Sequence, residues 1–236
     1  MERTINMKSV GIIGGLGPET TAEFYLEIIF KCQKVNKVSR PLIVTSSVPL
    51  PFEIETNFLS SGKEQESYLP FIIAEAKRLE KTGVDFLVMP CNSLHIFINE
   101  LRRELSIPVL SIVEETVKHL VNEGVGSVGL ISTSATSTNK LYENELSKTN
   151  ISTASPTEFQ KSLLNKVIRR LVSGIHLNKD RDFINTVVQD LVNQKVEAVA
   201  LACTDLQILM PAHDEVEIFD TMEILALATV KEILNK

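Results

Sequence analysis

The chain has 236 residues, of which 44% are hydrophobic and 23% charged, with a formal net charge of −6 and no basic cluster. That balance supports a real core in one large domain or two small ones, and it excludes nucleic acid and anionic membrane as main partners. No apolar run approaches the ~18 residues that span a bilayer, MERTINMKSVGIIGG has no long apolar core before a cleavage site, and three cysteines make no disulfide framework; the expectation is a cytoplasmic, reduced protein.

In chain order, SVGIIG (9–14) predicts a first strand, followed by a glycine-rich turn and a helix near 18–34. Further strands are expected near 42–47, 84–90 and 108–112, with helices near 65–82 and 93–105. The pattern then starts again. SVGLIS (127–132) repeats SVGIIG, VEAVALACTDLQ (196–207) repeats VDFLVMPCNSLH (84–95), and VEIFDTMEI (216–224) echoes IPVLSIVEE (107–115), all in the same order. Strands near 127–132, 151–154, 196–202 and 216–219 alternate with helices near 137–148, 157–173, 180–194 and 204–210, and MEILALATVKEILNK (222–236) forms a closing helix. Short continuous apolar runs such as FLVMP and AVALA suit strands buried on both faces. Strands alternating with helices imply parallel sheets with right-handed crossovers. The predicted architecture is α/β: two pseudo-symmetric domains, each a four-stranded parallel sheet flanked by helices. One unit takes 1–112 plus 221–236 and the other 113–220, with the active site in the cleft between them.

Ligands of such sheets bind beyond the C-terminal strand ends, where both repeats carry a cysteine, Cys91 and Cys203. A lone cysteine at a strand end is usually a small buried hydrophobe. A duplicated one, each followed by polar residues (Asn92 and Ser93; Thr204 and Asp205) and a helix start, calls for chemistry instead. The unpaired N–H groups of that helix start favour a thiolate. Cys32, inside the first helix, has no counterpart and reads as structural.

Cys91 and His95 have i, i+4 spacing, and Cys203 and His213 are further zinc candidates, but without a close cysteine pair a four-ligand site is not supplied and no metal is expected. His95 reads as a helix residue near the site entrance. GIIGGLGPETT (11–21) does not fit G-x-G-x-x-G. Its free N–H groups, with Leu16 at the centre and Pro18 opening the helix, can still hold an anion such as a carboxylate. LISTSATST (130–138) stands in the equivalent place, with Thr133 and Ser134 supplying hydroxyls. VPLPFEIET (48–56) follows the second strand and offers Glu53 and Glu55 at the ligand end of the sheet.

GIIGGLGPETT, MPCNSLH, ACTDLQ and FDTMEILALATV together resemble the aspartate/glutamate racemase superfamily over nearly the whole chain. The resemblance implies a two-domain fold, frequent homodimers, no cofactor (pyridoxal phosphate included), and Cys91 and Cys203 as paired acid/bases. It also implies that Asn92, Ser93, Thr133 and Thr204 hold the α-carboxylate or amino group of an amino-acid substrate. Two bases suit the chemistry, because inversion needs a proton removed from one face of the α-carbon and returned to the other.

Departures bear on the substrate. Aspartate-specific members resemble P-x-I-P-x-R after the second strand; here the arginine's place falls to Glu53, and a lysine expected near 170–174 is replaced by Val172. FEIET instead looks like the broad-specificity branch, which favours neutral or basic amino acids. A histidine common in the last motif is Leu225, and the usual G-C-T-E is A-C-T-D. The leading expectation is a cofactor-independent racemase of neutral or basic amino acids. The alternatives are an aspartate or glutamate racemase, a maleate isomerase or hydantoin racemase, and a non-catalytic small-ligand binder.

Overall fold

The computed structural model describes residues 7–55, 65–211 and 213–235. Residues 1–6, read above for a leader, and Thr56, the end of the VPLPFEIET loop, lie outside these. The first half runs β1 (Val10–Gly14), α1 (Pro18–Val35), β2 (Ile43–Ser47), a helical turn at 52–55, α2 (Leu69–Glu80), β3 (Phe86–Val88), α3 (Ile98–Glu104) and α4 (Ile112–Asn122). The second runs β4 (Ser127–Ser132), α5 (Ser134–Thr138), α6 (Leu141–Leu146), β5 (Ser152–Ala154), α7 (Glu158–Val172), α8 (Asn178–Asn193), β6 (Ala198–Ala202), β7 (Glu217–Asp220) and α9 (Thr221–Leu234).

The strands form two parallel sheets ordered β2-β1-β3 and β5-β4-β6-β7, so the second repeats the first and adds β7. β1 and β6 are buried along their whole length, as apolar runs covered on both faces must be. One apolar cluster spans both sheets: Ile12 and Phe86 belong to the first, Leu130, Ala200 and Phe219 to the second, and Phe24, Leu120 and Leu225 come from helices packed between. The outer faces carry separate clusters, Ile72, Leu87 and Leu101 on one side and Leu164, Val188 and Leu201 on the other. Leu225 is fully buried core.

Three expectations need correction. The first sheet has three strands, not four: the segment near 108–112 makes only a single parallel bridge, Leu87 to Val109. Pro108 has no N–H to extend the ladder, and two residues after Val109 the Ser111 side chain accepts from the Glu114 N–H and turns the chain into α4. Helix α4 was not anticipated at all, although Ser111-x-x-Glu114 is an N-terminal signature; its buried face includes Ile112, Val113, Val117 and Leu120. The helix expected near 137–148 is two short ones, α5 and α6, broken where Lys140 takes a left-handed φ of 51°.

Among the described residues, no helix is long and apolar enough to cross a membrane.

Candidate active site

β3 and β6 end in matching turns. After β3 the chain passes Met89 and Pro90 to Cys91 and then a 3-10 turn, Ser93–Phe97. After β6 it reaches Cys203 directly and enters a 3-10 turn, Thr204–Leu209. The two cysteines line the same cavity. Neither is oxidised, and Cys32 is likewise free, buried in α1 as expected.

Around Cys91 the holding groups are neutral. His95 Nδ1 lies 2.7 Å from the Cys91 carbonyl, while the Ile112 N–H, at the start of α4, donates to Nε2 at 3.1 Å. Accepting at Nε2 requires the proton on Nδ1, so the tautomer is set by the backbone. Burial pushes the imidazole down to about 4. With both ring nitrogens engaged, His95 stands neither at the site entrance nor as a metal ligand. Among the described residues no group of three or more His, Cys, Asp or Glu is placed to hold a metal ion. Asn92 is fixed at both ends: its Oδ1 accepts from the Tyr142 hydroxyl and its Nδ2 donates to Thr221 at 3.0 Å. Ser93 and Thr133 hydroxyls meet at 2.7 Å, and Thr133 also caps α5 by accepting from the Thr136 N–H.

Around Cys203 the holding groups include a carboxylate. The Cys203 thiol points at Asp205 Oδ2, 3.9 Å away, while Thr20 of α1 donates to Asp205 Oδ1 at 2.7 Å. Gly17, at φ +102°, lets the loop before α1 come this close: a Cβ there would stand 3.0 Å from Asp205 Oδ1. Thr204 donates to the Pro90 carbonyl at 3.3 Å, tying the second turn to the end of the first cysteine strand. Conversely, Asn92 reaches Thr221, whose hydroxyl donates to Leu201 of β6.

Both thiols are held protonated. Burial pushes Cys91 up to about 12 against the opposing pull of the Leu94 and Ser93 N–H groups. Burial, then the charge of Asp205, drives Cys203 well above its ordinary range. Asp205 is itself raised, first by burial. The expectation that helix-start N–H groups favour thiolate is therefore overridden by desolvation. The cavity is about 50 Å³, well below the ~150 Å³ that accepts benzene.

Of the sequence candidates, Leu16, Cys91, Asn92, Ser93, Thr133, Cys203 and Thr204 line the cavity. Two do not. Ser134 turns away, with its N–H donating to Asn165 at 3.0 Å. Glu53 is exposed, and Glu55 takes the cavity wall instead. Residues 52–55 form a helical turn, so positions two apart do not share a face. The wall also contains Tyr68, Leu94, Ile168, Val172 and Asp205. Val172 was marked in the sequence only as a departure, and Asp205 both as a departure and as a polar residue following Cys203; no local pattern pointed to Tyr68 or Ile168. The loop at Leu16 is less open to anions than expected, since the Gly15 N–H already donates to Thr21 at 3.0 Å.

The family model for Asp/Glu/hydantoin racemases matches residues 13–229. The broad specificity amino-acid racemase RacX of Bacillus subtilis (strain 168) is 30% identical over 230 residues, covering 95% of this chain and 98% of the relative. Among solved structures, the aspartate racemase of Picrophilus torridus superimposes with a TM-score of 0.78 at 28% identity, covering 96% of this chain and 94% of that one. An aspartate racemase homologue from Pyrococcus horikoshii OT3 gives 0.76 at 26% identity, covering 98% and 100%.

Proposed function

The chain belongs to the Asp/Glu/hydantoin racemase family of isomerases, and on that premise we propose that it inverts the α-carbon of an amino acid with Cys91 and Cys203 as a two-base pair and no cofactor. The observation that carries this reading is that two free thiols, leaving equivalent strands of two sheets, line one cavity. One takes the α-proton as thiolate while the other delivers a proton to the opposite face, and the roles exchange in reverse.

A buried thiol needs help to ionise. The α-ammonium of the substrate brings a positive charge into the cavity, which favours thiolate. Asp205, 3.9 Å from the Cys203 sulfur, is placed to accept that thiol's proton. The amide of Asn92 uses one N–H on Thr221, leaving the other for the α-carboxylate, together with the Ser93 and Thr133 hydroxyls. These donors stabilise the developing carbanion through its carboxylate.

No Lys, Arg or His is among the described residues lining the cavity, which supports a neutral or basic amino acid over aspartate or glutamate. Entry through a 50 Å³ cavity is part of the proposal: the unit 1–112 with 221–236 swings from 113–220 to admit substrate. A homodimer is also part of it, supported by Tyr25, Leu26 and Phe30 exposed on α1; light scattering at a mass of one chain would remove it.

The test is α-proton exchange in deuterated water across the proteinogenic amino acids, followed by NMR and chiral chromatography. Deuterium incorporation with inversion is expected for at least one amino acid. A folded protein that exchanges none overturns the reading as a racemase of proteinogenic amino acids.

A further inference from the structure

We propose that Thr20 is a positioning residue for proton transfer at Cys203: its hydroxyl holds one oxygen of Asp205 so that the other stays aimed at the thiol. This rests on the two-base reading above and adds to it a residue that does not line the cavity.

Two adjacent threonines near the start of α1 use their hydroxyls differently. Thr21 donates to the Gly17 carbonyl at 2.8 Å, four positions back, the ordinary bond of a threonine in a helix. Thr20, with no exposed surface, instead donates at 2.7 Å to Asp205 Oδ1, 185 positions along the chain. Asp205 Oδ2 is the oxygen 3.9 Å from the Cys203 sulfur. The last torsion of an aspartate is soft, so a partner must set the direction of its carboxyl group. Docking α1 does not depend on this bond. On the same helix start, Glu19 Oε2 lies 3.2 Å from His176 Nε2, and Glu23 accepts from the Gln207 amide. Those contacts already fasten α1 to the second half of the chain.

The charges around Asp205 are acidic. Glu19 and Glu23 of α1 meet it as like charges, and its own charge reaches Cys203 and Cys91. Burial raises its pKa, and the Thr20 hydroxyl is the largest of the opposing pulls. The bond therefore has two effects of opposite sign: it makes Oδ2 a weaker base, and it keeps Oδ2 facing the sulfur. In the proposed step the Cys203 proton passes to Oδ2, leaving a thiolate and a carboxylic acid, while Thr20 keeps its own proton. Direction outweighs basicity in that step.

The first measurement needs no substrate. Carboxyl carbon NMR of protein labelled with 13C-aspartate, assigned with Asp205→Asn, follows Asp205 against pH. Thr20→Val and Thr20→Ala should raise its titration, and Thr20→Ser should leave it near wild type. An unchanged titration in both hydroxyl-free variants overturns the proposal. The second measurement is deuterium washout on the amino acid that wild-type protein exchanges fastest, at a pH above the Asp205 titration of every variant. In Thr20→Val kcat should fall about tenfold with KM nearly unchanged, the scale of one hydrogen bond to a charged group. The loss should be greater for the enantiomer that Cys91→Ala still labels, which is the one served by Cys203, and Thr20→Ser should restore the rate. Thr20→Val/Asp205→Asn should be no slower than Asp205→Asn alone, because Thr20 acts through Asp205. His176→Ala, which removes an exposed docking contact, should stay near the wild-type rate. Faster washout in Thr20→Val, equal losses on both faces, multiplied losses in the double variant, or an equal loss in His176→Ala each overturns the positioning role. Wild-type protein that exchanges no amino acid overturns the racemase reading, while the NMR titration still decides whether Thr20 holds Asp205.

Discussion

Cys91 and Cys203 leave matching strands into matching turns, yet the groups that hold them differ in charge. Cys91 is set among neutral partners: a histidine whose tautomer is locked on its carbonyl, and hydroxyls at Ser93 and Thr133. Cys203 is set beside Asp205, itself held by Thr20 from the other half of the chain. The two turns also brace each other. Thr204 donates to the Pro90 carbonyl beside Cys91, and Asn92 acts through Thr221 on Leu201 near Cys203. The repeat carries the symmetric part, two thiols at two strand ends; the local neighbours make one side neutral and the other acidic. The proposed two-base reaction tolerates this asymmetry, because in it each thiol serves one face of the α-carbon.

The strongest way to break the comparison is to remove one thiol at a time. Cys91→Ala and Cys203→Ala should each reduce racemisation by about a thousandfold or more, the scale of a lost acid/base. Each variant should still wash deuterium into a single enantiomer, and the two variants should select opposite enantiomers. Washout followed by NMR from pure L and pure D substrate reads this directly. If both variants label the same enantiomer, the thiols do not face opposite sides.

Asp205→Asn sharpens the asymmetry. Racemisation should fall by about ten- to a hundredfold. Because the equilibrium constant of a racemase is one, kcat/KM must fall equally in both directions, so the difference appears in washout, where one enantiomer should lose more. Asp205 raises both thiols by its charge, Cys203 more prominently than Cys91. Its neutralisation should therefore bring the alkylation midpoint of Cys203 down in pH, further than that of Cys91. In wild-type protein both midpoints should lie above the ordinary ~8.5 of a free thiol. Iodoacetamide rates against pH, with the modified peptide identified by mass, supply the measurement; a wild-type Cys91 midpoint near 7 would contradict the desolvated cavity.

How much of this was legible beforehand depends on range along the chain. The thiol pair, the βα alternation and the polar residues after each cysteine are local patterns, and the structure has them where the sequence put them. Errors arose where one residue's geometry overruled the pattern. Pro108 and the Ser111 cap shortened a strand and started a helix. A helical turn at 52–55 exchanged Glu53 for Glu55. Contacts between distant residues left no mark at all: Thr20 and Asp205 stand 185 positions apart. The i, i+4 spacing of Cys91 and His95 was real, but it serves a carbonyl, not a metal.

That histidine gives the smallest effect on catalysis and a clear one on stability. Folded His95 titrates near 4 because burial disfavours its charged form, while in the unfolded chain it titrates near ~6.5. Between those values the unfolded state binds more protons, so stability falls as pH falls and is fully present above about 6.5. From pH 7 to pH 5 the loss should be about 2 kcal/mol from this residue alone. Protonation removes the Nε2 acceptor of the Ile112 N–H, so the same change loosens the start of α4, while the Nδ1–H still donates to the Cys91 carbonyl. Cys203 has no such histidine; the titratable group of its turn is the carboxyl of Asp205, raised by burial. His95→Gln should be less stable than wild type at pH 7, yet the gap should narrow by about 2 kcal/mol at pH 5, since only wild type carries the titration. Urea denaturation of both proteins at the two pH values measures the gap. A gap that stays constant would mean that His95 titrates alike in the folded and the unfolded chain, and that the desolvated, neutral half of the comparison is mistaken.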